Sequence, residues 1–287
     1  MSGVDHGTVF AEHRPVMLAA AYHIVGSRDD AEDVVQDAWT SWSRVDLDSV
    51  RTPRTFLAVM VSRLALNTLR TQRRRRERYL GPWIPEPVIE NGSPEWAVLH
   101  RDGLGQALDF VLATLSPEQA TAYVLRKVLD VDYDGIAEVL ETTPAAARQL
   151  VSRAQRAVTA AIGETTLGQS ARDARALTRL SDAVLRGDVD EVAALLAPNA
   201  LLYSDGGGKA NAALRPVRGP EQIARFLLGI AAKPGADLTP VTLNGSAGIL
   251  VREHGVLTTT MSLREGPSGI LAIYFVRNPD KLASLAE

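Results

Sequence analysis

Arg148, Gln149, Ser152, Arg153 and Arg156 recur at spacings that a helix would gather on one face. Arginine and glutamine side chains read guanine and adenine edges bidentately in a DNA major groove, so the chemistry on offer is base recognition. The opposite face, Ala147, Leu150, Val151 and Ala154, is apolar and mostly small, which suits close packing on a partner helix. Such a partner is written just upstream, where Ile136, Ala137 and Leu140 recur at helical spacing. Thr143 is a good N-cap and Pro144 a good first helical residue, because proline lacks the N–H that would be unpaired there. Residues 133–158 therefore predict a helix-turn-helix whose second helix enters DNA. A scaffold pair with a basic outer face is the alternative reading.

Two further charge clusters flank a boundary near residue 48. Residues 1–48 carry three Arg/Lys against nine Asp/Glu, and residues 49–78 carry nine arginines against Glu77 alone. An acidic block beside a basic one predicts two partners of opposite character, a protein surface and a polyanion. In the acidic block, Asp29, Asp30, Glu32, Asp33, Gln36 and Asp37 line one side of a helix whose other side is Ala31, Val34, Val35 and Ala38. Ser27 is a possible cap, and acids in a first turn suit the helix dipole. A solvated face accounts for these acids equally well; with no histidine nearby, a metal site or acid–base pair is the weaker reading. In the basic block, Phe56, Leu57, Val61, Leu64 and Leu69 form an apolar stripe, with Phe56 expected in the core. Arg63, Asn67 and Arg70 lie on another face, Arg54 precedes them, and Arg73–Arg76 follow. Clustered arginines give sequence-independent, salt-dependent phosphate affinity, and the run could also serve only to solubilise.

The elements that must position these groups span 287 residues, too long for one ordinary core. Hydrophobic content of 46% with 23% charged residues is that of a globular protein, and no stretch reaches the roughly 20 apolar residues of a membrane span. Met1–Pro15 lacks a signal-peptide core, so the cytoplasm is the expected location. The absence of cysteine excludes disulfides, zinc fingers and thiol catalysis. Residues 8–80 read as helical, 81–97 as a proline-rich linker, and 98–162 as helical again. From 168 to 287 the pattern changes to helices at 172–185 and 189–196 and strands at 200–204, 248–252, 256–263 and 270–276, which predicts an α+β domain. His254-Gly255 and Glu265-Gly266-Pro267 are hairpin turn signals.

The order HRPVMLAAAYHIVGSRDDAEDVVQDAW, PRTFLAVMVSRLALNTLR and LSPEQATAYVLRKVLDVDYDGIAEVLETTPAAARQLVSRAQRAV resembles a bacterial ECF (extracytoplasmic function) sigma factor. The resemblance covers region 2 and region 4 of such proteins. It implies that the helix with Asp30, Asp33, Gln36 and Asp37 docks on the β′ clamp of core RNA polymerase, while region 4 meets the β flap. It implies that Arg54, Arg63, Asn67, Arg70, Arg73 and Arg74 hold the −10 element as an unpaired strand with a flipped base. Arg148, Gln149, Ser152, Arg153 and Arg156 would read the −35 element. Arg63 stands where many relatives have asparagine and Leu150 where many have a basic residue, departures that bear on promoter sequence.

The C-terminal extension resembles SnoaL-like domains of the NTF2-like cone fold, so the fold class expected is multidomain: two all-α domains followed by an α+β cone. Trp83-Ile84-Pro85-Glu86-Pro87, Asp205-Gly206-Gly207-Gly208-Lys209 and Asn278-Pro279-Asp280-Lys281-Leu282 resemble motifs of the sigma-J type, in which the extension acts as a built-in regulator. Trp83, Pro85, Asp205, Gly206, Gly207, Gly208, Lys209, Asn278, Pro279, Asp280 and Lys281 are therefore the expected regulatory contacts. Read physically, three glycines after a strand permit either a tight turn or a close approach to another surface. The GxxxxGK[ST] frame of a phosphate-binding loop is missing. Asp205, Tyr203, His254 and Tyr274 are the residues a cone enzyme would use, but no catalytic group, cofactor or metal is expected. A small-molecule ligand in the C-terminal domain is the more plausible occupant, beside core polymerase and promoter DNA as partners and no membrane. The alternatives are a polymerase-independent helix-turn-helix regulator with a sensing cone, and an NTF2-like enzyme fused to DNA-binding helices.

Overall fold

The chain folds as helices first and a sheet afterwards. The computed structural model describes residues 5–89, 105–163, 169–231 and 235–285, apart from the side chains of Arg74 and Arg75. Linker residues 90–97, the expected start of the second helical domain at 98–104, and residues 164–168 lie outside the described residues. Two units result, one from the described parts of 1–77 and 111–161, the other from 78–89, 105–110 and 162 onward.

In the helical unit, α1 (His6–Val25), α2 (Arg28–Trp42) and α3 (Pro53–Arg76) pack on one another. Asp5 caps α1 by accepting the Thr8 N–H at 2.7 Å. Gly26 ends that helix in the left-handed region at φ 67°, a conformation glycine adopts without a Cβ penalty. The chain reverses directly into Ser27, whose hydroxyl caps α2. Met17, Leu18, Tyr22, Val35, Trp42, Leu57, Val61 and Leu66 fill the core. Phe56 is a correction: it is 39% exposed and only leans on Trp42, ring centroids 5.8 Å apart. It sits one residue, about 100° of helix, off the stripe that Leu57 and Val61 turn inward.

The same unit continues through the last turn of α4 (Gly105–Thr114), α5 (Pro117–Lys127), α6 (Tyr133–Val139) and α7 (Pro144–Ile162). Ser116 and Gln119 form a reciprocal capping box on α5, and Asp132 caps α6. Thr143 caps α7 as expected, accepting the Ala146 N–H at 3.2 Å. Helix α3 packs on α5 and α6.

The second unit begins with α8 (Gln169–Arg186) and α9 (Val189–Leu195). Six strands follow in the order β2-β1-β6-β5-β4-β3, from β1 (Leu196–Asp205), β2 (Val217–Arg218), β3 (Ala236–Leu243), β4 (Ser246–Glu253), β5 (Val256–Gly266) and β6 (Gly269–Val276). Helix α10 (Pro220–Ala231) and a short α11 (Pro279–Leu282) complete it. Strands β1 and β6 pair in parallel; every other pair is antiparallel. Leu177, Leu180, Leu202, Ile223, Leu227, Leu263, Ile273 and Phe275 form the core between helices and one sheet face. The other face carries Tyr203 and Tyr274, stacked at 5.7 Å and 7°, with Phe110 of α4 against both at 4.4 and 5.2 Å. Arg264 is also buried there; its Nε donates to the Ile162 carbonyl at 3.1 Å, and Asp173 lies 3.7 Å away. Burial pushes the Asp173 carboxyl up from its ordinary range. Among the described residues no helix is long and apolar enough to cross a membrane.

Candidate nucleic-acid, polymerase and regulatory sites

The predicted reading face of α7 is intact. Ala147, Val151 and Ala154 are buried, Leu150 is half-buried, and Arg148, Gln149, Ser152, Arg153 and Arg156 are all exposed. With Ala145 they border one shallow concave surface. Arg148 is held in place from outside α7: its guanidinium lies 4.7 Å above the ring of Tyr133, a stacking that limits its rotamers without using its donors.

On α3, Arg63, Asn67 and Arg70 share an exposed face, and Arg54 and Arg73 are exposed as well; the side chain of Arg74 lies outside the described residues. Two of these arginines are occupied by acids of the second helical half. Arg63 donates to Glu138 Oε1 at 3.2 Å and to its carbonyl at 3.3 Å, and Arg70 Nε donates to Glu118 Oε1 at 3.2 Å. All four side chains are at least a third exposed, so each pair contributes about 0–1 kcal/mol and opens readily. Arg76 behaves differently from the run it ends. It is half-buried and bonds to the Val25 carbonyl at the end of α1. Burial pushes its guanidinium down to about 10, opposed by the nearby Asp30 carboxylate.

On α2, Asp33, Gln36 and Asp37 are exposed over a buried stripe of Ala31, Val34, Val35 and Ala38. Asp30 lies half-buried at the edge of this face, and Glu32 is paired with Arg14 at 2.5 Å. Trp39 continues the exposed surface at 38% exposure and packs edge-on to Phe10 at 5.1 Å.

The three short motifs of the sheet unit meet at one carboxylate. Asp205 ends β1 fully buried, and its Oδ1 accepts from the Tyr79 hydroxyl at 2.6 Å and the Gly207 N–H at 3.1 Å. Its Oδ2 accepts from the Ile84 N–H at 2.9 Å and from Lys281 Nζ at 2.7 Å. Lys281 also donates to the Ile84 carbonyl and lies 4.0 Å from the ring centre of Trp83. Asn278 caps α11 through the Asp280 N–H and donates to the Tyr79 hydroxyl at 2.8 Å. Lys209 pairs with Asp280 at 2.5 Å on the surface. Burial and the Asp205 carboxylate push the Tyr79 phenol above its ordinary range, so it stays a donor. Pro85 is buried and its carbonyl accepts from Gln106 at 3.2 Å; Pro279 opens α11.

The triple glycine is both turn and close contact. Gly207 and Gly208 have φ of 59° and 72°. A Cβ on Gly207 would strike Asn278 Nδ2 and the Tyr79 hydroxyl, and one on Gly208 would lie 2.8 Å from Leu80. Gly207→Ala is expected to destabilise this unit by about 2–3 kcal/mol, from left-handed strain plus displacement of Asn278. A urea midpoint unchanged from the parent would contradict that packing.

Tyr79, Gln106, Asp109 and Asn244 were not singled out from sequence, yet they complete the attachment. Asn244 exchanges bonds with both backbone groups of Val88 at 2.8 Å and donates to Asp109 at 2.8 Å. Gln106 accepts from Ser262 at 2.9 Å. The signal was there for Asn244, since Asn244-Gly245 is a strong hairpin dipeptide. The cone residues considered for catalysis are not assembled: Tyr203 and Tyr274 stack on Phe110, Asp205 is saturated by the linker and Lys281, and His254 stands in the β4–β5 turn.

Comparison with known proteins places this geometry. Residues 9–75 match Sigma-70 region 2 and residues 105–158 match Sigma-70, region 4. The chain is 36% identical to the ECF RNA polymerase sigma factor SigJ of Mycobacterium tuberculosis, over 95% of this chain and 91% of that protein. It is 26% identical to the probable ECF RNA polymerase sigma factor SigI of the same species, over 95% and 93%. The crystal structure of M. tuberculosis SigJ superposes with a TM-score of 0.77 at 32% identity, covering 96% of this chain and 97% of that one. With both sigma regions in order and a relative matched along nearly its whole length, the chain belongs to the ECF sigma factors of RNA polymerase.

Proposed function

We propose a division of labour for this sigma factor, whose family directs promoter-specific initiation of transcription. The exposed Asp33, Gln36 and Asp37 of α2, with Asp30 at their edge, dock on the β′ clamp of core polymerase, and the second helical half meets the β flap. Arg54, Arg63, Asn67, Arg70, Arg73 and Arg74 hold the opened −10 strand, and Arg148, Gln149, Ser152, Arg153 and Arg156 read −35. The C-terminal unit regulates in cis through its grip on residues 79–88. The observation that carries this reading is the uninterrupted polar face of α7, whose five DNA-facing residues are exposed together over buried alanines. The Arg63–Glu138 and Arg70–Glu118 pairs add a condition: glutamate must yield to phosphate before the −10 strand binds.

Run-off transcription by reconstituted holoenzyme tests the assignment. Arg148→Ala is expected to cost about 1–3 kcal/mol in −35 binding and to relax preference at the contacted base pair. An unaltered promoter preference would move the reading face away from α7. A duplex-DNA regulator independent of polymerase would bind its site equally well with core enzyme absent, and would draw nothing from the acids of α2.

A further inference from the structure

We propose that the sheet unit contains a receptor site for a small apolar molecule, about one ring in size, that carries a single hydrogen-bond donor. A cavity of about 190 Å³ lies between α8, α10 and the core face of the sheet. Leu180, Val184, Leu227, Ile230, Met261 and Phe275 form most of its wall. An apolar cavity of roughly 150 Å³ accepts benzene in a well-studied protein, so a ring with a short substituent fits here.

Three features separate this space from an ordinary packing defect. First, it is a partly open apolar cleft with room for more than a water, and its lining atoms lack the dispersion contacts that an occupant would supply. Val184, Ile230, Leu238, Val251 and Met261 border it only partly buried, while Leu180, Leu227 and Phe275 beside them are fully packed. Second, the wall holds a buried hydroxyl, Ser181 Oγ, without a hydrogen-bond partner among the described residues. Other buried hydroxyls share that state, but this one borders open space, where an occupant with a polar atom would pair it. Third, the other polar side chain of the wall among the described residues is the Glu253 carboxylate, whose Oε1 accepts from Thr258 at 3.2 Å and lies 3.8 Å from an Arg277 guanidinium nitrogen, leaving Oε2 for an occupant. An acceptor with negative charge favours an alcohol, phenol or amine and repels an acid, which makes the site selective by chemical class.

The site is also placed to be read. Strand β6 turns Phe275 to the cavity and its neighbour Tyr274 to the opposite face, where Phe110 packs. Use of the site for regulation rests on the function proposed above; binding does not, and the test reads binding alone.

Full-length protein is titrated by calorimetry, and by ligand-observed NMR, with p-cresol, phenethylamine and phenylacetate. The first two are expected to bind saturably at one site, and phenylacetate at least about tenfold more weakly. Glu253→Gln should largely erase that discrimination. Val184→Phe and, as an independent filling of the same space, Leu238→Phe should abolish p-cresol binding in whichever variant keeps the parent near-ultraviolet circular dichroism. Absence of saturable binding by both donor probes overturns the proposal. So does undiminished binding in a folded, filled variant, or phenylacetate binding as tightly as phenethylamine.

Discussion

Asp205→Ala is expected to release residues 79–88 from the sheet and to destabilise that unit by about 3–5 kcal/mol, the cost of leaving one partner of a buried ion pair uncompensated. The side chains of Asp205 and Lys281 are 0% and 12% exposed, so water cannot replace what the carboxylate provides. The substitution also takes the acceptor from two donors, the buried Ile84 N–H and the half-buried Tyr79 hydroxyl. Asp205→Asn keeps the shape and one acceptor oxygen but not the charge, and should fall between the parent and the alanine variant. Amide hydrogen exchange over residues 79–88 and the urea midpoint are the measurements. Parent-like protection in the alanine variant would show that the linker is held by Asn244 and Gln106 without the carboxylate. Run-off transcription with the same variant should change in rate while the start site stays fixed, as expected of a regulator that does not itself choose the promoter.

Asp33→Lys combined with Asp37→Lys is expected to abolish association with core polymerase at physiological salt, a loss of at least about a hundredfold. Both side chains are exposed on α2 and make no hydrogen bond to the rest of the described chain through their carboxylates, so reversing them leaves the buried stripe of Ala31, Val34, Val35 and Ala38 untouched. Far-ultraviolet circular dichroism and the unfolding midpoint should therefore match the parent. Pull-down by immobilised core enzyme, repeated at low ionic strength where charge contributes most, is the readout. Normal retention of the doubly reversed protein would assign core binding to another surface. Asp30→Lys is a different experiment, because Asp30 is half-buried beside Arg76 and its reversal would also disturb the packing of α3 on α1.

Much of this architecture was legible because single helices obey a period. The two faces of α7 follow from 3.6 residues per turn and the small size of Ala147 and Ala154, and the cap at Thr143 follows from its chemistry. The acidic face of α2 was legible for the same reason. Period alone failed where a helix meets a specific neighbour. Phe56 is as apolar as Leu57 but lies off the buried stripe. Arg76 continues a run of identical residues, yet it alone among those described bonds to the end of α1. In the sheet unit, the helix at 220–231 and strand β3 were absent from the expected elements. Strand β3 is an edge strand interrupted by Pro240 and largely exposed, so it lacks the alternation that announces a half-buried strand.

By itself the sequence determined the order of the helical regions, the helix-turn-helix, the separation of acid from base, and the identity of three short motifs, one in the linker and two in the C-terminal half. What it could not determine is that those motifs form one site. Parallel pairing of β1 with β6 sets Asp205 opposite Val276, so the glycine turn after one strand and the Asn278–Lys281 turn after the other emerge at the same end of the sheet. Residues 79–88 then lie across both, donating to a carboxylate more than a hundred positions away in sequence. Strand pairing is a long-range choice that no local pattern encodes, and only the folded sheet makes it.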